Sequence, residues 1–161
     1  MTILCTANKL TKYSSNFISL LKDNSNKHSQ IEKALATSSA HTVGMVILTN
    51  DNKVILKKNT QGNLELPLTK ITGHNIEIDA LSVTKKFTTN KIKQKYMFRI
   101  ALKEGQKTVT SHIFMTKISD TKDSKSIVMV DLGELNNEID KGNLIDPTTI
   151  IALDGVLQST K

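Results

Sequence analysis

The segment Thr42 to Leu48 is almost continuously apolar and runs straight into Thr49-Asn50-Asp51-Asn52. A run of that length with no polar alternation has to be covered on both faces, so it belongs in the middle of a sheet. The four residues after it are turn formers. Val54 to Lys58 then reads as the returning strand of a hairpin. A fold built around this chain therefore needs a buried central strand with a layer on either side.

The remaining segments supply those layers. Asn59 to Asn63 is a further turn, and Leu64 to Leu66 a short extended piece stopped by Pro67. Ile76, Ala80, Val83 and Phe87 recur at helical spacing and predict one buried helix face. Ile92 to Leu102 and Thr108 to Ile118 predict two strands joined at Glu104-Gly105-Gln106. Simple alternation puts Tyr96, Phe98, Ile100 and Leu102 on one face of the first. Ser119 to Ser126 is a charged loop, and Ile127 to Val130 a short strand. Asp131 to Lys141 predicts a short helix with Leu132, Leu135 and Ile139 inward and Gly142 at its end. Asp146-Pro147 predicts an N-cap with proline at the first helical position. The last helix would turn Ile150, Leu153 and Leu157 inward. Upstream, Lys12 to Lys22 and Gln30 to Ala36 read as two short helices. The expected organisation is an N-terminal helical extension over residues 1–40 and one α/β domain with a mixed sheet over residues 41–161.

At 161 residues the chain suits a single domain. Such a domain buries roughly two-thirds of the surface of its unfolded chain and needs no covalent staple. The lone Cys5 excludes an internal disulfide and a cysteine-rich zinc site, and it suits a reducing compartment. No apolar run approaches the ~20 residues that span a bilayer. Residues 1–21 show no convincing signal peptide, so a cytoplasmic location without membrane contact is the expectation. Cys5 and the pairs Ser14-Ser15 and Ser38-Ser39 have no surrounding nucleophile motif.

The segments resemble those of the Nudix hydrolase family in order and wording. Thr42 to Leu48 with Asn52 to Lys58 is similar to its opening hairpin. Leu64-Glu65-Leu66-Pro67 resembles the lead into its Gly-Gly turn. Val130-Asp131-Leu132-Gly133-Glu134-Leu135, followed by Gly142 to Leu153, resembles its closing strand, short helix and final helix. The likeness spans residues 42–157 and implies an α/β/α sandwich with a mixed β-sheet, here behind an N-terminal helical extension. In the family, the box G-x5-E-x7-R-E-U-x-E-E-x-G-U carries glutamates that hold a divalent cation against a diphosphate. The cation polarises phosphoryl oxygens and activates water.

In this chain the box is broken. Set by Pro67, its glycines fall on Leu68 and Thr69, and its first glutamate on Asn75. Its Arg-Glu pair falls on Val83 and Thr84, and its paired glutamates on Phe87 and Thr88. Sliding the register by one residue restores none of them. Ala80 through Lys103 contains no Asp or Glu at all, but does contain Lys85, Lys86, Lys91, Lys93, Lys95, Arg99 and Lys103. Ammonium groups cannot ligate Mg²⁺ and repel a cation held nearby.

The expected function is therefore binding rather than cleavage, with no cofactor. The partner would be a nucleotide, an RNA or an acidic protein. The net charge of +7 agrees with a polyanion, although a Lys- and Asn-rich coding bias gives the same balance. Lys85, Lys86, Lys91, Lys93 and Lys95 are the candidate phosphate contacts, the alternative being a solvated helix end favoured by the helix dipole. Glu65, Thr69 and His74 are the candidate pocket residues. Glu77 and Asp79 stand two apart, off a common helical face, and read equally as first-turn helix charge. Tyr96 and Phe98 read either as a stacking platform for bases or as core. The rival reading is a divergent hydrolase of a nucleoside diphosphate derivative such as ADP-ribose. It would use Mg²⁺ or Mn²⁺ held by Asp120, Glu134 or Glu138. A third is an interaction protein that uses the two N-terminal helices.

Overall fold

The computed structural model describes residues 40–72, 75–104, 106–122 and 124–159. The helices expected at Lys12–Lys22 and Gln30–Ala36, the Cys5 and serine-pair positions, and His74 lie outside the described residues.

The apolar run forms β1, Ala40–Thr49. It pairs in parallel with β6, Lys107–Ile118, from Ala40↔Val109 to Thr49↔Ile118. β6 pairs antiparallel with β5, Gln94–Glu104. On its other side β1 meets β2, Lys53–Lys58, at Leu48↔Val54, and β2 continues outward to β7, Ile127–Asp131. Only the ends of β1 and β2 touch, and the two strands diverge. Two short strands fill the wedge. β3, Leu64–Glu65, pairs with β2, and β4, Leu68–Lys70, pairs with Thr42 to Gly44 of β1. Between them the Pro67 carbonyl accepts from Met45 N–H at 3.1 Å. β4 had no signature in the sequence. Gly44 leaves room for it: a Cβ there would sit 2.8 Å from Leu68 Cδ2 and 3.0 Å from Ile113 Cδ1, so those side-chain ends would have to shift.

The sheet lies between helices, and this explains the unbroken apolar strand. Val43, Met45 and Ile47 pack with Ile76, Ala80 and Val83 of α1, Ile76–Thr84. Val46 turns to the opposite face, beneath Ile150, Leu153 and Val156 of α3, Pro147–Ser159. α1 is shorter than the apolar period suggests. It ends at Thr84, and Phe87 N–H bonds the Thr84 carbonyl at 2.9 Å in a tighter turn. That turn keeps Phe87 buried with the helix stripe.

Two other expectations are corrected. A bulge shifts the β5–β6 register between Tyr96 and Phe98. Phe98, Ile100 and Leu102 face the α3 layer, but Tyr96 lies on the α1 side, edge-on to Phe114 with centroids 5.2 Å apart. A bulge carries one unopposed residue, here Met97, and so reverses the alternation that simple counting assumes. The predicted helix over Asp131 to Lys141 is split into a 3-10 turn, Leu132–Glu134, and α2, Leu135–Asp140. Asp131 caps the turn through Gly133 N–H, and Leu135 is fully buried.

α3 starts as its sequence predicts. Asp146 Oδ2 accepts from Thr149 N at 2.9 Å and Thr149 Oγ1 at 2.6 Å. Thr149 Oγ1 in turn accepts from Leu66 N at 2.9 Å, tying the helix to the wedge. Thr149→Val would keep the shape but orphan that buried N–H. We expect a loss of about 1–3 kcal/mol in urea unfolding. An unchanged midpoint would show that the bond contributes nothing net.

Candidate functional site

α1 and the turn after it carry the residues onto which the Pro67 register sets the box, and most of them face inward. Asn75 is the N-cap, its side chain accepting from Glu77 N and Ile78 N. Val83, Thr84, Phe87 and Thr88, onto which the register set by Pro67 puts the box's arginine and later glutamates, are 2%, 0%, 4% and 2% exposed. Thr84 Oγ1 donates to the Ala80 carbonyl. Thr88 Oγ1 donates to Asp120 Oδ1 at 2.5 Å, and Thr89 Oγ1 to Asp120 Oδ2 at 3.0 Å. The Thr88 hydroxyl is the main reason the Asp120 carboxyl is held below the usual carboxylate range.

Several other acids are also engaged. Asp79 is buried in α1 and accepts from Thr72 N and Thr72 Oγ1, which fixes the loop before the helix. Glu77 is exposed. Asp51 accepts from Thr49 Oγ1 at 2.6 Å and pairs with Lys53 at 2.9 Å, which lowers it to about 2. Glu134 is bonded by Asn137, and Glu138 by Asn143 with Lys141 nearby. Among the described residues no three His, Cys, Asp or Glu side chains converge on a point. An open depression of about 310 Å³ lies between the β1–β2 turn and the loop after β6, bordered by Thr49, Asp51, Ser119, Asp120 and Met129.

The lysines are placed where the sequence leaves them accessible. Lys85, Lys86, Lys91, Lys93 and Lys95 are all exposed. Lys85 is the C-cap of α1, where the helix dipole favours a cation. Lys122 Nζ donates to the Lys85 carbonyl at 3.2 Å, and Thr116 Oγ1 to the Lys93 carbonyl at 2.8 Å. These bonds tie the end of α1 to the loop after β6, and the residue before β5 to β6, at one end of the sheet; Lys95, opposite Met115, lies on the α3 face. Lys122 belongs to that end and was not singled out from the sequence. Glu65 and Thr69 are not brought together: Glu65 lies opposite Lys57 on β2, and Thr69 opposite Val43 on β1.

No protein-family profile matches the chain, and no curated protein sequence does. Solved structures do match it by fold. The NUDIX domain of Shewanella oneidensis NrtR, complexed with ADP ribose, aligns over 81% of this chain and 98% of its own with a TM-score of 0.63. This chain has the Nudix fold. Sequence identity to that domain is 11%, so the likeness is one of fold. A crystal structure of an ADP compounds hydrolase matches at TM-score 0.60 and 13% identity, over 76% of this chain and 73% of that one. A NUDIX hydrolase from Nitrosomonas europaea matches at 0.59 and 15%, over 76% and 90%. In the register set by Pro67, the box's later glutamates fall on Thr84, Phe87 and Thr88, all of them buried. The residues present at those positions do not fit Mg²⁺ or Mn²⁺, which need oxygen ligands facing an open site. No described helix is long and apolar enough to cross a membrane.

Proposed function

We propose that this Nudix-fold chain binds a phosphate-bearing ligand, a nucleotide or an RNA, at the basic end of its sheet, and does not hydrolyse it with a divalent metal. One observation supports the reading: the residues that the Pro67 register sets on the later box positions are buried threonine and apolar side chains, while Lys85 and Lys86 beside them are exposed. Ammonium groups there meet phosphate oxygens directly and need no bridging cation. An acidic protein would meet the same charges.

Binding to RNA should weaken steeply with salt, as counterion release demands. Lys85→Glu with Lys86→Glu should cut low-salt affinity about tenfold or more and flatten the salt slope. Retention equal to that of the parent protein would remove these lysines from the interface.

The rival is a divergent hydrolase, favoured by the depression that Asp51 and Asp120 share. One or two carboxylates with substrate phosphates can hold Mg²⁺. Phosphate release across a panel of nucleoside triphosphates and ADP-ribose, with Mg²⁺ or Mn²⁺ titrated, separates the two. Binding without turnover is expected. Release that chelation abolishes and Asp120→Asn removes would establish the hydrolase instead.

A further inference from the structure

Lysines stand on both faces of the sheet at the end where α1 stops and β5 starts. Lys85 and Lys86 close α1, and Lys122 Nζ reaches back to the Lys85 carbonyl at 3.2 Å, so these three lie on the α1 side. The strand register puts others on the opposite side. Lys95 lies opposite Met115, and Lys117, two residues along β6, opposite Leu48 of β1. Met115 and Leu48 both pack against the α3-side core, so Lys95 and Lys117 share that face. As diagonal neighbours on adjacent strands they stand about 7–8 Å apart. All of these lysines are exposed. Of the acids at this end, Asp51 is already paired with Lys53, and Asp120 is held by Thr88 and Thr89, which leaves the lysines in excess.

One small ligand cannot meet both sets. The sheet stands between them, with the apolar layer that buries Val83 and Phe87. The phosphates of a nucleoside diphosphate are joined through one bridging oxygen, so such a headgroup engages one set only. A polynucleotide carries a phosphate at every residue and reaches both. The path over the sheet end turns sharply, which a duplex with a persistence length of about 150 base pairs resists and a single strand does not. A protein partner needs an apolar or aromatic centre to its interface, and a set made of lysines supplies none. We infer that a single-stranded polynucleotide passes over this end of the sheet, held by its phosphates at Lys85, Lys86 and Lys122 on one face and at Lys95 and Lys117 on the other. The inference rests on the phosphate-binding reading above and narrows it to a polymer. Recognition is indifferent to base sequence: no aromatic side chain is exposed among the described residues, and aromatic faces are what single strands stack their bases on.

The test measures, by fluorescence anisotropy at low salt, the binding of labelled oligouridylates of roughly four and sixteen nucleotides. ADP-ribose and polyglutamate of matching charge serve as competitors. The longer strand should bind at least about tenfold tighter than the shorter, and an oligoadenylate of the same length within about threefold of it. Lys95→Gln with Lys117→Gln should reduce the salt slope for the longer strand by about 1.4, at roughly 0.7 per lost phosphate contact. Both side chains are exposed, and an unfolding midpoint equal to that of the parent protein checks that the variant is folded. An unchanged slope in this variant would overturn the two-faced path. If the short strand and ADP-ribose bound as tightly as the long strand, the polymer would be excluded while the phosphate-binding reading stood. If no probe bound at low salt, both would fall. Displacement of the long strand by polyglutamate at equal concentration would make an acidic peptide the occupant and overturn the inference.

Discussion

Glutamate in place of Thr84 is expected to destabilise the domain by about 3–5 kcal/mol rather than rebuild a metal site, because a buried charge without a partner carries a penalty of that order. Thr84 is fully enclosed, and its hydroxyl is used within its own helix. Adding Thr88→Glu would also remove the Thr88–Asp120 bond and set two carboxylates against each other. Urea unfolding with and without Mn²⁺ reads both points. If the double variant kept its midpoint and gained metal-dependent stability, the helix would be facing an open cavity, and the buried placement that supports binding without hydrolysis would be wrong.

Stability should also fall by on the order of 3 kcal/mol as pH drops from about 6.5 to about 4, through His112 alone. His112 on β6 is fully buried; burial first, then Arg99 and His41, hold its folded-state value below the unfolded one. Between the two the unfolded chain binds the extra proton, so acid favours unfolding. The contribution is complete above 6.5 and gone below 4. Asp51 and Asp120 act in a lower range, where protonation removes their hydroxyl contacts. Replacing His112 by phenylalanine should flatten the limb between pH 6.5 and 4 and leave the lower one. Parallel pH–stability curves for the two proteins would show that His112 is not the titrating group.

The large elements were legible because each repeats a local period. The β1 run, the α1 stripe and the Asp146-Pro147 start of α3 announce themselves within a few residues. What remained hidden depends on pairing between distant segments. β4 is three residues long and exists because β1 and β2 diverge. The bond between Thr88 and Asp120 spans 32 positions. His41, Arg99 and His112 look scattered until three strands are set side by side. Strand alternation would have grouped Arg99 with His112, had the order of strands been known. The same counting misplaced Tyr96, since nothing local marks Met97 as the extra residue. The lysines were easy to find for the opposite reason: their exposure follows from composition and needs no partner.

The irregularity at Met97 also governs how β5 can change in length. Deleting that one residue would leave Tyr96 opposite Phe114 and Phe98 opposite Ile113, and every later side chain on its present face. Deleting Arg99 or a residue after it would turn part of the strand over and drive Phe98 or Arg99 into the wrong layer. Drift in chain length is therefore tolerated at the bulge, and a relative one residue shorter there would still carry both faces intact.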